Sequence, residues 1–164
     1  MLEHTFCHIP TIGVKTESRI WDSGIGGWDH FLSLDATALK DMGVPGRALS
    51  DTFREKIVES RILLEQREIR HFARRLPSTE QWRLLKPFAA STCYLDIETT
   101  GLGKGLDHIT TIALFDGERV RTYVHGRNLD DFVRDISDYE LMVTFNGKCF
   151  DAPFIERFFG IKLD

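Results

Sequence analysis

No stretch of this chain approaches the roughly 20 consecutive apolar residues that a helix needs to cross a bilayer, so no helical membrane span is expected. The amino terminus, Met1-Leu2-Glu3-His4, has neither the basic region nor the apolar core of a secretory signal. Cysteine is scarce. Cys7, Cys93 and Cys149 are odd in number, far apart and without a CxxC pair. That pattern argues against a disulfide framework or a zinc site and for reduced thiols in a cytoplasmic setting. Internal repeats and low-complexity tracts are absent. Gly101, Gly103 and Gly105 lack the GxGxxG order, which removes a dinucleotide site. An excess of positive charge is missing too. The formal net charge is −4, from 21 Lys and Arg against 25 Asp and Glu. Residues 1–90 carry 13 basic and 12 acidic side chains, and residues 91–164 carry 8 and 13. The overall field does not attract nucleic acid, so phosphate recognition would need metal ions and local basic patches.

What is present falls into three stretches. Residues 1–49 are short elements: a turn at Ile9-Pro10, a helix ending near Gly24, apolar markers at Trp28, Phe31, Leu32 and Leu34, and a short helix near 36–42. Residues 50–90 begin with Ser50 as a helix cap. Phe53, Ile57, Leu64, Phe72 and Leu76 then repeat at helical spacing, predicting a long helix with a bend near 66–70. Pro77 stops it, and Ser78 with Gln81 reads as a capping box for the next short helix. From residue 91 the period changes from 3.6 to 2. Strands are predicted at 92–97, 109–115, 120–124 and 141–145, with Asp116-Gly117 as a hairpin turn and helices at 129–136 and 151–159. This order describes a mixed-sheet α/β domain preceded by a small all-helical region.

The chemistry concentrates in Tyr94-Leu95-Asp96-Ile97-Glu98-Thr99-Thr100-Gly101. Strand side chains alternate, so Asp96 and Glu98 share a face. Two like charges on a strand that reads as buried call for a cation, and hard oxygen ligands suit Mg²⁺ or Mn²⁺. A third acid, Asp151, follows Asn146-Gly147-Lys148-Cys149-Phe150 after another apolar run. If strands one and four are neighbours, Asp151 faces the same cleft, and three carboxylates could serve two-metal phosphodiester hydrolysis. Plainer readings stand beside this one. Asp96 and Glu98 could be a solvated pair, Asp151 a helix cap, and Asn146 a turn residue.

The segments 94–102 and 143–154 together resemble the first two motifs of the DEDD (DnaQ-like) 3′–5′ exonucleases, and most closely the branch with a YprB-like ribonuclease H-like domain. Asp96, Glu98, Thr100 and Gly101 fall on the first motif, and Asn146, Phe150 and Asp151 on the second. The resemblance implies a ribonuclease H-like sheet in the order 3-2-1-4. It implies that Asp96, Glu98 and Asp151 are both metal ligands and catalytic residues for two Mg²⁺ or Mn²⁺ ions. It places Thr99, Thr100, Gly101, Leu102, Asn146 and Lys148 against nucleic acid, Leu102 packing on the terminal base. The family's third motif, an aspartate with a nearby tyrosine or histidine, lies beyond a fifth strand, and nothing after Phe159 supplies it. A C-terminally truncated exonuclease domain at 91–164 is therefore expected, with the fifth strand and later helices missing. Little activity is expected of it alone, and its exposed sheet edge is open to a partner or to self-association.

Residues 6–25 resemble a degenerate helix-hairpin-helix, whose core is Gly-hydrophobic-Gly. Here Thr11-Ile12-Gly13 lacks the first glycine. In such elements the hairpin N–H groups hold a backbone phosphate, a role open to Gly13 and Lys15 and one that favours DNA over RNA; a purely structural helical cap is the alternative. The 50–76 helix mixes Arg and Glu at i,i+4 spacings, which reads as a solvated face, with Arg70, His71, Arg74 and Arg75 as its one compact basic patch. Two functions follow: a metal-dependent 3′–5′ exonuclease-like hydrolase, or a noncatalytic nucleic-acid-binding or assembly protein on a decayed nuclease fold.

Overall fold

The computed structural model describes residues 1–101, 107–145, 147 and 149–163. The chain divides into two units, Met1–Pro87 and Phe88–Asp164. None of the described helices is long and apolar enough to cross a membrane.

The first unit is helical: α1 (Val14–Asp22), α2 (Trp28–Ser33), α3 (Ala36–Asp41), α4 (Asp51–Glu65) and α5 (Ile69–Arg75), with 3₁₀ turns at Leu2–His4, Gly46–Leu49 and Ser78–Leu84. Ser50 caps α4, its hydroxyl accepting from the Phe53 N–H at 3.2 Å. The predicted long helix is two helices. After Glu65 the backbone turns at Arg67, which has a left-handed φ of 58°, and the Glu68 N–H returns to the Leu63 carbonyl at 2.8 Å. The bend expected at 66–70 is thus a full break. Pro77 rather than Ser78 holds the cap position of the 3₁₀ turn, without a side-chain bond, and Gln81 Nε2 donates to the Ala73 carbonyl at 2.9 Å.

Packing in this unit is aromatic. Phe6, Phe31 and Phe53 meet with centroids 5.2 to 6.2 Å apart. His8 is buried against Trp28 and Phe72. Trp28 opens α2, so the apolar markers Trp28, Phe31 and Leu32 belong to one short helix. A charge is buried as well. Glu17 is fully enclosed. It accepts from the Thr5 hydroxyl at 2.5 Å, the Phe6 N–H at 2.6 Å and Arg83 at 3.3 Å. Arg83 also pairs with Glu80 at 2.7 Å and lies over the Trp21 and Trp82 rings. A buried carboxylate is tolerated when it is paired and fully hydrogen-bonded, as here.

The second unit is built on β1 (Thr92–Thr99), β2 (Ile109–Phe115), β3 (Val120–Val124) and β4 (Leu141–Val143), with α6 (Asp131–Ile136) and α7 (Asp151–Phe159). Strand order is β3-β2-β1-β4, with β1 antiparallel to β2 and parallel to β4. This is the mixed ribonuclease H-like sheet preceded by a helical region that the sequence implied. The hairpin between β2 and β3 is held by Asp116, whose carboxylate accepts from the Glu118 and Arg119 N–H groups at 2.9 and 2.8 Å. Boundaries shift modestly. β1 runs to Thr99, β4 stops at Val143, and α6 starts at Asp131.

One face of the sheet is closed. Cys93, Leu95, Ile97, Ile112 and Leu114 pack with Phe132 and Ile136 of α6 and Phe154 and Ile155 of α7. Tyr123 donates to Asp135 at 2.9 Å, tying β3 to α6. The other face of β1 carries Tyr94, Asp96 and Glu98, all exposed. The strand is central but buried on one side only, so the expectation of a buried strand around the acids is corrected to a half-buried one.

Candidate active site

Alternation along β1 sets the site. Leu95 and Ile97 turn into the core, so Asp96 and Glu98 turn out, one pleat apart. Asp96 lies opposite Ala113 and Glu98 opposite Thr111. After Glu98 the register with β2 shifts, bending the strand where Thr99 and Thr100 follow. Thr100 closes this end: its N–H donates to the His108 carbonyl at 3.1 Å, and its hydroxyl accepts from the His108 N–H at 3.2 Å. Gly101 then takes a left-handed φ of 64°, a conformation costly for any residue with a Cβ.

Asp151 comes to this place from 55 positions further along the chain. Parallel pairing of β1 with β4 sends the chain beyond Val143 back toward the middle of β1. α7 then opens with Asp151 as its first residue, Phe150 holding the cap position. The plainer reading of Asp151 as the helix cap is thus corrected by one position. Its side chain is 3% exposed. Burial raises its pKa above the usual carboxylate range, and the negative charge of Asp96 raises it further. Hydrogen bonds from its own N–H, the Thr144 hydroxyl and the Ile97 N–H pull the other way. Asp151 therefore lies near enough to Asp96 to feel its charge. Glu98 stands on the Asp96 face. Gly147 supports this arrangement, because a Cβ there would overlap the Thr144 side chain. Sequence reading missed Thr144; an adjacent hydroxyl carries no signal of its own until the fold places it.

The donor set is oxygen-only and anionic, which suits a hard divalent cation. A buried carboxyl that feels the charge of a second carboxylate is a setting that a cation would relieve. Among the described residues no group of three or more His, Cys, Asp and Glu side chains is gathered closely enough to hold a metal ion. Asp96 and Asp151 would form the nucleus of such a site, with Glu98 on the same face. Leu102, Asn146 and Lys148 lie outside the described residues.

In the helical unit, residues 6–13 are turn rather than helix, so of the expected helix-hairpin-helix only the second helix, α1, is present. Thr11 nevertheless has φ of 73°, the left-handed region. It occupies the position where the motif ordinarily has glycine, and it keeps the backbone shape without the residue that makes the shape inexpensive. Ile12 is buried, Gly13 is the cap of α1, and Lys15 is exposed in the first turn. The turn 7–13 and Arg75 line a cleft of about 450 Å³.

Residues 93–164 match the family model described as the RNase_H superfamily. The match and the β3-β2-β1-β4 sheet agree on a ribonuclease H-like fold for the second unit. No curated protein and no solved structure matches the chain.

Proposed function

We propose that the chain is a metal-dependent, 3′–5′ exonuclease-like hydrolase of nucleic-acid phosphodiester bonds, with DNA preferred to RNA and with low turnover on its own. The observation that supports this most is the buried Asp151 carboxyl, near enough to Asp96 to feel its charge, beside the carboxyl ends of parallel strands where α/β folds build their sites. Asp96 and Asp151 would hold Mg²⁺ or Mn²⁺, and Glu98 would share it and orient the attacking water. A divalent ion held there would supply Lewis acidity and lower the pKa of a bound water. Thr99, Thr100 and Gly101 border the acids and would receive the terminal nucleotide, together with Leu102, Asn146 and Lys148. In the helical unit, the hairpin N–H groups at Gly13, helped by Lys15, would grip a backbone phosphate.

A second reading, nucleic-acid binding without turnover, is favoured by one observation: no three-ligand group is assembled among the described residues. Calorimetric titration of the full chain with Mn²⁺, alongside digestion of 5′-labelled DNA and RNA strands, separates the two. Mn²⁺ binding and Mn²⁺-dependent shortening, both lost in Asp96→Ala, support the hydrolase. Oligonucleotide binding with neither Mn²⁺ uptake nor shortening supports the alternative.

A further inference from the structure

The open end of the β2–β3 hairpin carries two histidines. His108 directly precedes β2 and His125 directly follows β3, and antiparallel pairing brings both to the end away from the Asp116 turn. The His125 N–H donates to the Thr110 carbonyl at 2.9 Å, which carries the ladder one step past β3. On its other side His108 is fastened to the chain beyond β1. Its carbonyl accepts from the Thr100 N–H at 3.1 Å, and its own N–H donates to the Thr100 hydroxyl at 3.2 Å. Behind His125 the Asn128 carboxamide accepts from the Val124 N–H at 2.9 Å and donates to the Thr122 carbonyl at 3.0 Å. Hydrogen bonds thus fix the backbone under both side chains.

The two imidazoles lie with centroids 4.7 Å apart and planes tilted by 43°, so they do not form a parallel stack. His108 is half-buried and His125 exposed. Among the described residues neither ring makes a hydrogen bond. Their separation has a chemical meaning. A metal–nitrogen bond of about 2.0–2.1 Å sets the centre of an imidazole about 3.2 Å from the ion, so two rings on one ion, at an angle between a right angle and a tetrahedral one, stand about 4.5–5.2 Å apart. The observed spacing falls inside that interval, and side chains already held close lose little freedom on binding.

We propose that His108 and His125 together hold one borderline divalent transition-metal ion, of the zinc(II), nickel(II) or copper(II) class, across the open end of the β2–β3 hairpin. Imidazole nitrogen suits these ions, whereas carboxylate oxygen suits magnesium and manganese. Among the described residues no third His, Cys, Asp or Glu side chain is close enough to complete a larger cluster, so water fills the remaining positions. Thr100, the anchor of His108, lies four residues beyond Asp96, about 13 Å of extended chain. The ion is therefore separate from any cation at Asp96 and Asp151, and the inference is independent of the nuclease reading. Bound there, it clips the start of β2 to the end of β3 and stabilises the folded unit by linkage.

The test titrates Ni²⁺ into the full chain by calorimetry, with excess Mg²⁺ present to occupy carboxylates. One Ni²⁺ per chain is expected at the tightest site. His108→Ala and His125→Ala should each weaken its binding by at least about tenfold, and Asp96→Ala should leave it unchanged. Circular dichroism checks that the variants fold, and the exposure of His125 favours that outcome for its replacement. A second readout locates the ion. The chain has 6 histidines, and substoichiometric Ni²⁺, being paramagnetic, should first broaden the two ring-proton NMR signals that vanish in His108→Ala and His125→Ala. No Ni²⁺ uptake, unchanged affinity in folded His125→Ala, or first broadening of other histidines would overturn the proposal. Loss of the site in Asp96→Ala would overturn it too, by giving the ion to the carboxylates.

Discussion

Replacing Asp151 by Asn should change the stability of the ribonuclease H-like unit in opposite directions with and without a divalent cation. Without metal, Asp151 is a buried carboxyl whose pKa is raised, chiefly by burial and then by the Asp96 charge, despite its hydrogen bonds. The ionised form is thus disfavoured in the fold. Asn has similar volume, keeps an oxygen for the Thr144 and Ile97 donors, and removes both the desolvated charge and the repulsion. Asp151→Asn is therefore expected to melt at a higher temperature than the parent. With Mn²⁺ the order reverses. A ligand that binds only the folded state at about one hundred times its Kd adds about 2.7 kcal/mol, and in a unit of this size each kcal/mol moves Tm by about 4–8 °C. The parent should gain about 10–20 °C, and Asp151→Asn little. All three tyrosines, Tyr94, Tyr123 and Tyr139, lie within Phe88–Asp164. Fluorotyrosine labelling and ¹⁹F NMR melts therefore report this unit alone. A lower Tm for Asp151→Asn without metal would refute the electrostatic argument. Equal Mn²⁺ shifts in parent and variant would refute the ligand assignment.

Three further outcomes are expected. Thr11→Gly relieves a left-handed backbone worth about 1–2 kcal/mol at a glycine entropy cost of about 0.5–1 kcal/mol, so the helical unit should gain up to about 1 kcal/mol in urea unfolding; a loss would show that Thr11 is held by something other than backbone shape. His8 is held neutral, its pKa lowered from 6.5 to about 3 by burial first and then by His71 and Arg75. Its contribution is complete above pH 6.5 and is lost as pH falls toward 3, about 3 kcal/mol between about pH 7 and pH 4. His8→Gln should flatten that dependence in urea titrations read by tryptophan fluorescence, which sees only this unit because Trp21, Trp28 and Trp82 all lie in it; an unchanged slope would count against a buried neutral imidazole. Gly147→Ala should push Thr144 away from Asp151 and weaken Mn²⁺ binding by about tenfold or more in calorimetry, whereas unaltered affinity would show that Thr144 does not position the acid.

Local pattern alone determined much of the second unit. Period-2 runs bounded by turn residues located β2 at 109–115 and β3 at 120–124, because strand alternation and an Asp-Gly turn are properties of neighbouring residues. It also put Asp96 and Glu98 on one face, since that follows from spacing. What needed the tertiary structure was everything that depends on distant partners. Gln81 reaches the Ala73 carbonyl, eight positions away. The long helix broke at Arg67, where the chain accepted a left-handed residue. Which face of β1 would be covered was decided by α6 and α7, elements more than 30 positions away from it in sequence. The meeting of Asp151 with Asp96 and Thr144 was likewise unreadable from spacing, since parallel pairing of β1 and β4 brings them together across 55 positions of sequence. Sequence carries periodicity and residue chemistry; the energy of a buried charge depends on what surrounds it, and only the folded chain supplies the surroundings.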